Sequence, residues 1–266
     1  MNATTNLGIA CQTITWGEDQ REHFPEILKA SAQAGYAGLE VGFRHIQEVP
    51  PQRLSEMLGE HDLALVASHV GGNLQDTGQA AGERQILDIV LDYLNATGTE
   101  LLMYSGLRFE NEDQFGTDLE QLRVAAGRCQ ERGVRLLYHN HDWEFADGGR
   151  VMNALLDECG SELGFCPDIG WIMKGGADVG EMLDRMGPRV GAIHLKDFAT
   201  ADPGLDTVML GEGIAPLAEA AAWASEHRPG LWLIAEQDTA EIPAQEAIQR
   251  NADFMKRVVG QLERRR

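Results

Sequence analysis

Eight short apolar runs, separated by helix-like segments, constrain the fold of this chain more than any other feature. The runs lie at 7–14 (LGIACQTI), 36–42 (YAGLEVG), 63–70 (LALVASHV) and 100–106 (ELLMYSG). They continue at 134–141 (VRLLYHNH), 163–170 (LGFCPDIG), 190–197 (VGAIHLKD) and 231–238 (LWLIAEQD). Each run is continuous rather than alternating, the pattern of parallel strands covered on both faces. Between them, 24–35 places Phe24, Ile27 and Leu28 on one helical face and stops at Gly35. The segment 84–98 spaces Ile86, Ile89, Val90 and Leu94 likewise and stops at Gly98. The segment 117–133 opens with Thr117 as an N-cap and ends at Gly133. Further helices are expected within 180–187, 214–227 and 244–262.

Eight strand–helix units in 266 residues predict one α/β domain over 1–266, a (β/α)8 barrel. The alternative is an open doubly wound sheet. That fold usually carries a glycine-rich phosphate turn after its first strand, and here the first strand runs into TITWGEDQ instead. No linker or low-complexity segment interrupts the alternation.

The charge balance narrows the partners. Asp and Glu number 42 against 22 Lys and Arg, for a formal net charge of −20. Such a field repels nucleic acid and anionic membrane, and it leaves a small neutral or cationic ligand open. No run approaches the roughly 20 apolar residues of a membrane helix. The opening MNATTNLGIACQT lacks the basic and apolar regions of a signal peptide. Cys11, Cys129, Cys159 and Cys166 are far apart, so reduced thiols and a cytoplasmic location are expected.

In a (β/α)8 barrel the active site forms at the C-terminal ends of the strands. Here those ends are rich in polar residues: Glu40 with Arg44 and His45, Ser68 with His69, and His139, Asn140 and His141 followed by Glu144. Asp168, His194 with Lys196 and Asp197, and Glu236 with Asp238 complete the set. Taken singly, each has a plainer role. A lone histidine at a strand end is more often a hydrogen-bonded packing residue, Asp168 after Pro167 can cap a turn, and Lys196 can pair with Asp197. Taken together, carboxylates at adjacent buried strand ends repel and stay partly protonated without a cation. A divalent metal resolves that conflict, and mixed Asp, Glu and His donors suit manganese, zinc, iron, cobalt or nickel better than calcium.

At these residues the chain resembles the xylose-isomerase-like TIM-barrel family. GYAGLEVG resembles the family's second strand, YHNHDWEF the fifth-strand signature of one branch, and PDIGW the sixth-strand aspartate. HLKD resembles the seventh-strand histidine, IAEQD the eighth-strand glutamate, and LGEGI (210–214) the glycine-rich turn before the seventh helix. The opening GIACQTITWGED and GYAGLEVG are most similar to the inosose dehydratase branch. The resemblance implies one divalent metal ion, manganese first, with zinc, cobalt, iron, nickel or magnesium as alternatives. Its ligands would be a carboxylate from the fifth strand, Asp168, His194 and Glu236. Many members have a glutamate where this chain has His139, so either His139 takes that position or Glu144, five residues later, loops back to it. Glu144 is the expected ligand, because it keeps the family's ligand charge.

The implied chemistry is isomerisation or epimerisation of a keto-sugar or related polyol through a metal-stabilised enediolate, with Glu144 and Glu236 as proton carriers. Dehydration of an inosose, with His141 as the acid, shares the same intermediate and is the alternative. Lys196 either stabilises developing oxyanion charge or forms a salt bridge. Trp16 either walls the pocket or packs in the core. Glu40, His69, His139 and Asn140 are expected substrate contacts. Few basic residues lie near the strand ends, which favours an unphosphorylated sugar or cyclitol. Two more distant readings are a non-catalytic sugar-binding barrel and a nuclease of the endonuclease IV kind, against which the −20 charge argues. A homo-oligomer is compatible with the sequence.

Overall fold

The computed structural model describes residues 7–18, 20–70, 80–202, 204 and 207–265. Eight parallel strands form one sheet: β1 (Gly8–Gln12), β2 (Gly38–Gly42), β3 (Ala64–Val70), β4 (Leu101–Tyr104), β5 (Arg135–His139), β6 (Leu163–Cys166), β7 (Ala192–Leu195) and β8 (Trp232–Ala235). Their order in the sheet is β6-β5-β4-β3-β2-β1-β8-β7. Two bridges, Phe165 with Val190 and Asp168 with His194, join β6 to β7 and close the circle. The longer helices are α1 (Phe24–Ala34), α2 (Pro51–Gly59), α3 (Ala80–Thr97), α4 (Glu112–Glu131), α5 (Ala146–Asp157), α6 (Val179–Met186), α7 (Leu217–His227) and α8 (Ala244–Arg264), with short helical turns at Phe43–Ile46 and Ile169–Lys174. This is a (β/α)8 barrel, as the alternation of apolar runs predicts. Among the described residues, no helix is long and apolar enough to cross a membrane.

Strand geometry sorts the side chains into two layers, because successive residues face opposite sides of a sheet. One set, including Leu39, Leu102, Leu136, Phe165 and Leu233, packs outward against the helices. The other, including Ala10, Ala67, Met103, Leu137, Cys166 and Ile234, fills the barrel interior. The interior is tightly occupied: a Cβ on Gly164 would stand 2.5 Å from the Leu137 side chain. Two residues beyond these plugging side chains, the same inward face carries His139, Asp168 and Glu236. The polar set thus stands directly above an apolar floor.

The structure differs from the sequence expectations at several boundaries. Helix α4 starts earlier than Thr117: Asn111 is the N-cap and accepts the Gln114 N–H, while Thr117 lies inside the helix and donates to the Asp113 carbonyl. The buried stripe of α3 is Leu87, Val90, Leu91 and Leu94, and Ile86 and Ile89 face solvent. Strand β6 stops at Cys166, because Asp168 caps a short helical turn, Ile169–Lys174, by accepting the Trp171 N–H at 2.9 Å. All four cysteines are buried free thiols.

Candidate metal and substrate site

Four side chains converge at the mouth of the barrel, from β5, the end of β6, β7 and the end of β8. His139, Asp168, His194 and Glu236 are all buried, and one ligand atom from each lies within 4.8 Å of the others. Three of these residues belong to the ligand set expected from sequence. The fourth member of the cluster is His139, and Glu144 is not among its members.

Glu144 is held elsewhere. It is fully buried, accepts the Tyr138 hydroxyl at 2.7 Å and accepts the His141 N–H at 2.8 Å. Tyr138 packs in the outer layer of β5, and its oxygen in turn accepts the Leu107 N–H. Glu144 is therefore drawn behind the strand, away from the face that carries His139, and closes the turn after β5. Burial pushes its carboxyl up to about 7, against the lowering effect of those hydrogen bonds.

His194 is clamped on both ring nitrogens. Its Nε2 meets Glu40 at 2.7 Å, and its Nδ1 is bonded to Glu236. Burial opposes a charged imidazole here, but Cys166 and the Glu40 and Glu236 carboxylates outweigh it, and the pKa lies well above the usual histidine range. Glu40, expected to touch substrate, is fully buried and spends one oxygen on His194. Such a carboxylate–imidazole pair fixes ring orientation at metal sites.

Asp168 is positioned by Asn140, another expected substrate contact. The Asn140 amide oxygen accepts the Asp168 N–H at 3.0 Å, and its nitrogen donates to the Asp168 carbonyl. Burial raises the Asp168 carboxyl to about 7, while Lys196 pulls the other way. Lys196 is buried among three carboxylates, at 3.3 Å from Glu236, 3.8 Å from Asp168 and 2.8 Å from Asp238. Burial works against its charge, but those carboxylates prevail and raise its pKa. It does not pair with Asp197. The Asp197 carboxylate instead accepts the backbone N–H groups of Phe198, Gly211, Gly213 and Ala215, and so pins the glycine-rich turn.

The remaining expected residues line the approach. His141 stacks on Trp143 with ring centroids 3.9 Å apart, and the Arg108 guanidinium covers the other side of Trp143 at 3.3 Å. Burial, with Lys196 and Arg108 nearby, lowers the His141 pKa to about 3, so this imidazole is neutral. His69 stands 6.4 Å from His139, ring to ring, and lines a cleft of about 320 Å³ with Gln12, Phe43, Arg44 and His45. Trp16 packs against the large outer core, with its indole N–H buried. Asp238, noted in the sequence at the end of the eighth run, holds Lys196, and Tyr138, which holds Glu144, carries a part in the site that the sequence did not announce.

The cluster fits a divalent cation on its own evidence. His139 Nδ1, Asp168 Oδ2 and Glu40 Oε1 are buried polar atoms without a hydrogen-bond partner, an expensive condition unless something else satisfies them. Burial holds His139 well below the usual histidine pKa, so its imidazole is in the neutral form that binds metals. The donors would be two imidazoles and two carboxylates, a set used by transition metals, with His194 giving up the Nδ1 proton it shares with Glu236 as an ion binds.

An inosose dehydratase from Clostridium perfringens is 25% identical over 220 residues, covering 74% of this chain and 72% of that one. A sugar phosphate isomerase/epimerase structure from Parabacteroides distasonis superposes with a TM-score of 0.80 at 20% identity, covering 96% of both chains. The IolI protein with a bound zinc atom superposes with a TM-score of 0.76 at 16% identity, covering 96% of this chain and 99% of that one. The xylose isomerase-like TIM barrel family model matches residues 28–258, and the chain belongs to that family.

Proposed function

We propose that this protein is a divalent-metal-dependent isomerase or epimerase of a keto-sugar or related polyol. The observation that carries the reading is the convergence of His139, Asp168, His194 and Glu236 above the barrel floor. These four residues, rather than a set containing Glu144, would hold the ion. The zinc bound in the similar IolI structure supports a divalent metal. The names of the similar proteins support a small polyhydroxylated carbonyl compound as substrate.

A divalent ion held here would polarise a substrate carbonyl as a Lewis acid. Glu236 is the proposed acceptor of the proton from the neighbouring carbon. Lys196, 3.3 Å from Glu236, is a fixed cation that stabilises negative charge developing on substrate oxygen. With Glu144 behind the strand, Glu236 returns the proton it took to the neighbouring carbon, and the neutral ring of His141 takes the proton of the adjacent hydroxyl and passes it to the former carbonyl oxygen. Trp143 and Arg108 hold that ring in place.

A second reading, dehydration of an inosose, is favoured by the 25% identity to curated inosose dehydratases. In it, the neutral His141 is a poor acid, and Lys196 is the cation nearest to assist a departing hydroxyl. The test is a panel of keto-sugars and inososes incubated in D2O and followed by NMR and ultraviolet absorbance. Deuterium incorporation with a new isomer supports the first reading, and an enone or diketone chromophore supports the second. Binding with neither change in any compound would leave a non-catalytic barrel.

A further inference from the structure

The ligand set implied by family resemblance has three carboxylates and one imidazole. This chain has two of each, because His139 occupies the inward position at the end of β5. Its Nδ1 is buried without a hydrogen-bond partner, and its Nε2 is 4.0 Å from Glu236. The second imidazole, His194, is oriented by Glu40 on its far nitrogen. The two remaining carboxylates already share a positive neighbour, Lys196, at 3.3 and 3.8 Å.

Each of these features weakens the hold on a hard cation. Magnesium and manganese favour oxygen donors, whereas zinc, cobalt, nickel and iron gain more from imidazole nitrogen. Exchanging a carboxylate for an imidazole removes one negative charge from the donors. The Lys196 ammonium offsets part of what remains. An oriented histidine backed by a carboxylate is a stronger nitrogen donor than a free one.

We infer that the site selects a borderline divalent ion, zinc, cobalt, nickel or iron, over manganese and magnesium, and that His139 sets this preference. The inference rests on the metal site proposed above and departs from the expectation of manganese. It concerns the chain's own donors and is independent of which substrate is turned over.

The test is competition at equilibrium. Metal-stripped protein is dialysed against equal concentrations of zinc, manganese and magnesium, then freed of unbound ions and analysed for bound elements. Zinc outcompetes manganese at most nitrogen and oxygen sites, so the decisive quantity is how the ratio changes with the residue at position 139. His139→Glu restores the carboxylate, and the bound zinc-to-manganese ratio is expected to fall by about tenfold or more. His139→Gln, a neutral oxygen donor of similar reach, is expected to lower the ratio in the same direction and serves if the glutamate variant does not fold. An unchanged ratio in a folded variant overturns the inference, as does parent protein that retains manganese or magnesium in preference to zinc. Failure of any ion to bind the parent would instead remove the metal reading itself, and this inference with it.

Discussion

Replacing Glu144 with glutamine separates two roles that the sequence alone leaves entangled. If Glu144 were a metal ligand, the change would empty the site. In the structure it is instead a buried acid between Tyr138 and His141. A glutamine oxygen can accept the His141 N–H, and its amide can donate to the Tyr138 oxygen, so both contacts survive without charge. The energetic consequence depends on pH. The Glu144 carboxyl is displaced from an ordinary 4.5 to about 7 by burial. It stays protonated in the folded chain up to about pH 7, but ionises in the unfolded chain above about 4.5. Unfolding then releases a proton, so stability falls as pH rises across that window and levels off above it. A displacement of this size corresponds to roughly 3 kcal/mol for a fully buried group. Asp168 titrates over the same range, but it is common to both proteins and cancels in the difference. Urea denaturation of parent and Glu144→Gln at pH 5, 6, 7 and 8 is expected to show the variant gaining about 3 kcal/mol relative to the parent across the series. In thermal melts this is roughly 6–10 °C for a domain of this size. Metal content is expected to be unchanged. Parallel pH profiles, or loss of bound metal in the variant, would refute the placement of Glu144 behind the strand.

Asp168→Ala combined with His194→Ala removes two of the four clustered donors, and elemental analysis is expected to find no retained transition metal. Asp197→Ala leaves four backbone N–H groups without their acceptor, with an expected loss of roughly 3–5 kcal/mol in urea denaturation and partial recovery with asparagine. Gly170→Ala would place a methyl group 2.6 Å from the Lys196 carbonyl oxygen, and a loss of about 1–3 kcal/mol is expected because backbone cannot rotate aside. Arg128→Ala breaks an ion pair with Asp88 on the surface, and an unchanged denaturation midpoint in the same assay is the matching control.

The fold was legible because each barrel strand is buried on both faces, and this forces continuous apolar runs that few other architectures produce. The positions of Asp168, His194 and Glu236 were legible for a related reason: each sits at the end of an apolar run, where a polar side chain has little reason to be unless it faces the mouth. His139 carried the same signal. It lies two residues after Leu137, which plugs the interior, so strand alternation alone assigns it to the inward face. Ligand charge points to Glu144 instead, because a carboxylate there keeps the charge that the resemblance implies. What diverted Glu144 is the Tyr138 hydroxyl, a partner on the opposite face of the strand that no local pattern reveals. Helix boundaries were misread where capping competes: both Asn111 and Thr117 suit an N-cap, and the outcome depends on where the chain leaves β4. Asp238 was visible in the sequence, but its grip on Lys196 is a contact across two strands, set by tertiary packing.

The packed interior of the barrel has a kinetic consequence. Ala10, Met103, Leu137 and Ile234 close the space beneath the cluster, so among the described residues the floor of the site is sealed. Whatever enters by the mouth must leave by it, and spent material still in the site blocks the next arrival. Under the proposed reaction, turnover is expected to be limited by release as well as by chemistry. Its products are expected to act as competitive inhibitors, raising KM in proportion to their concentration while leaving the maximal rate unchanged.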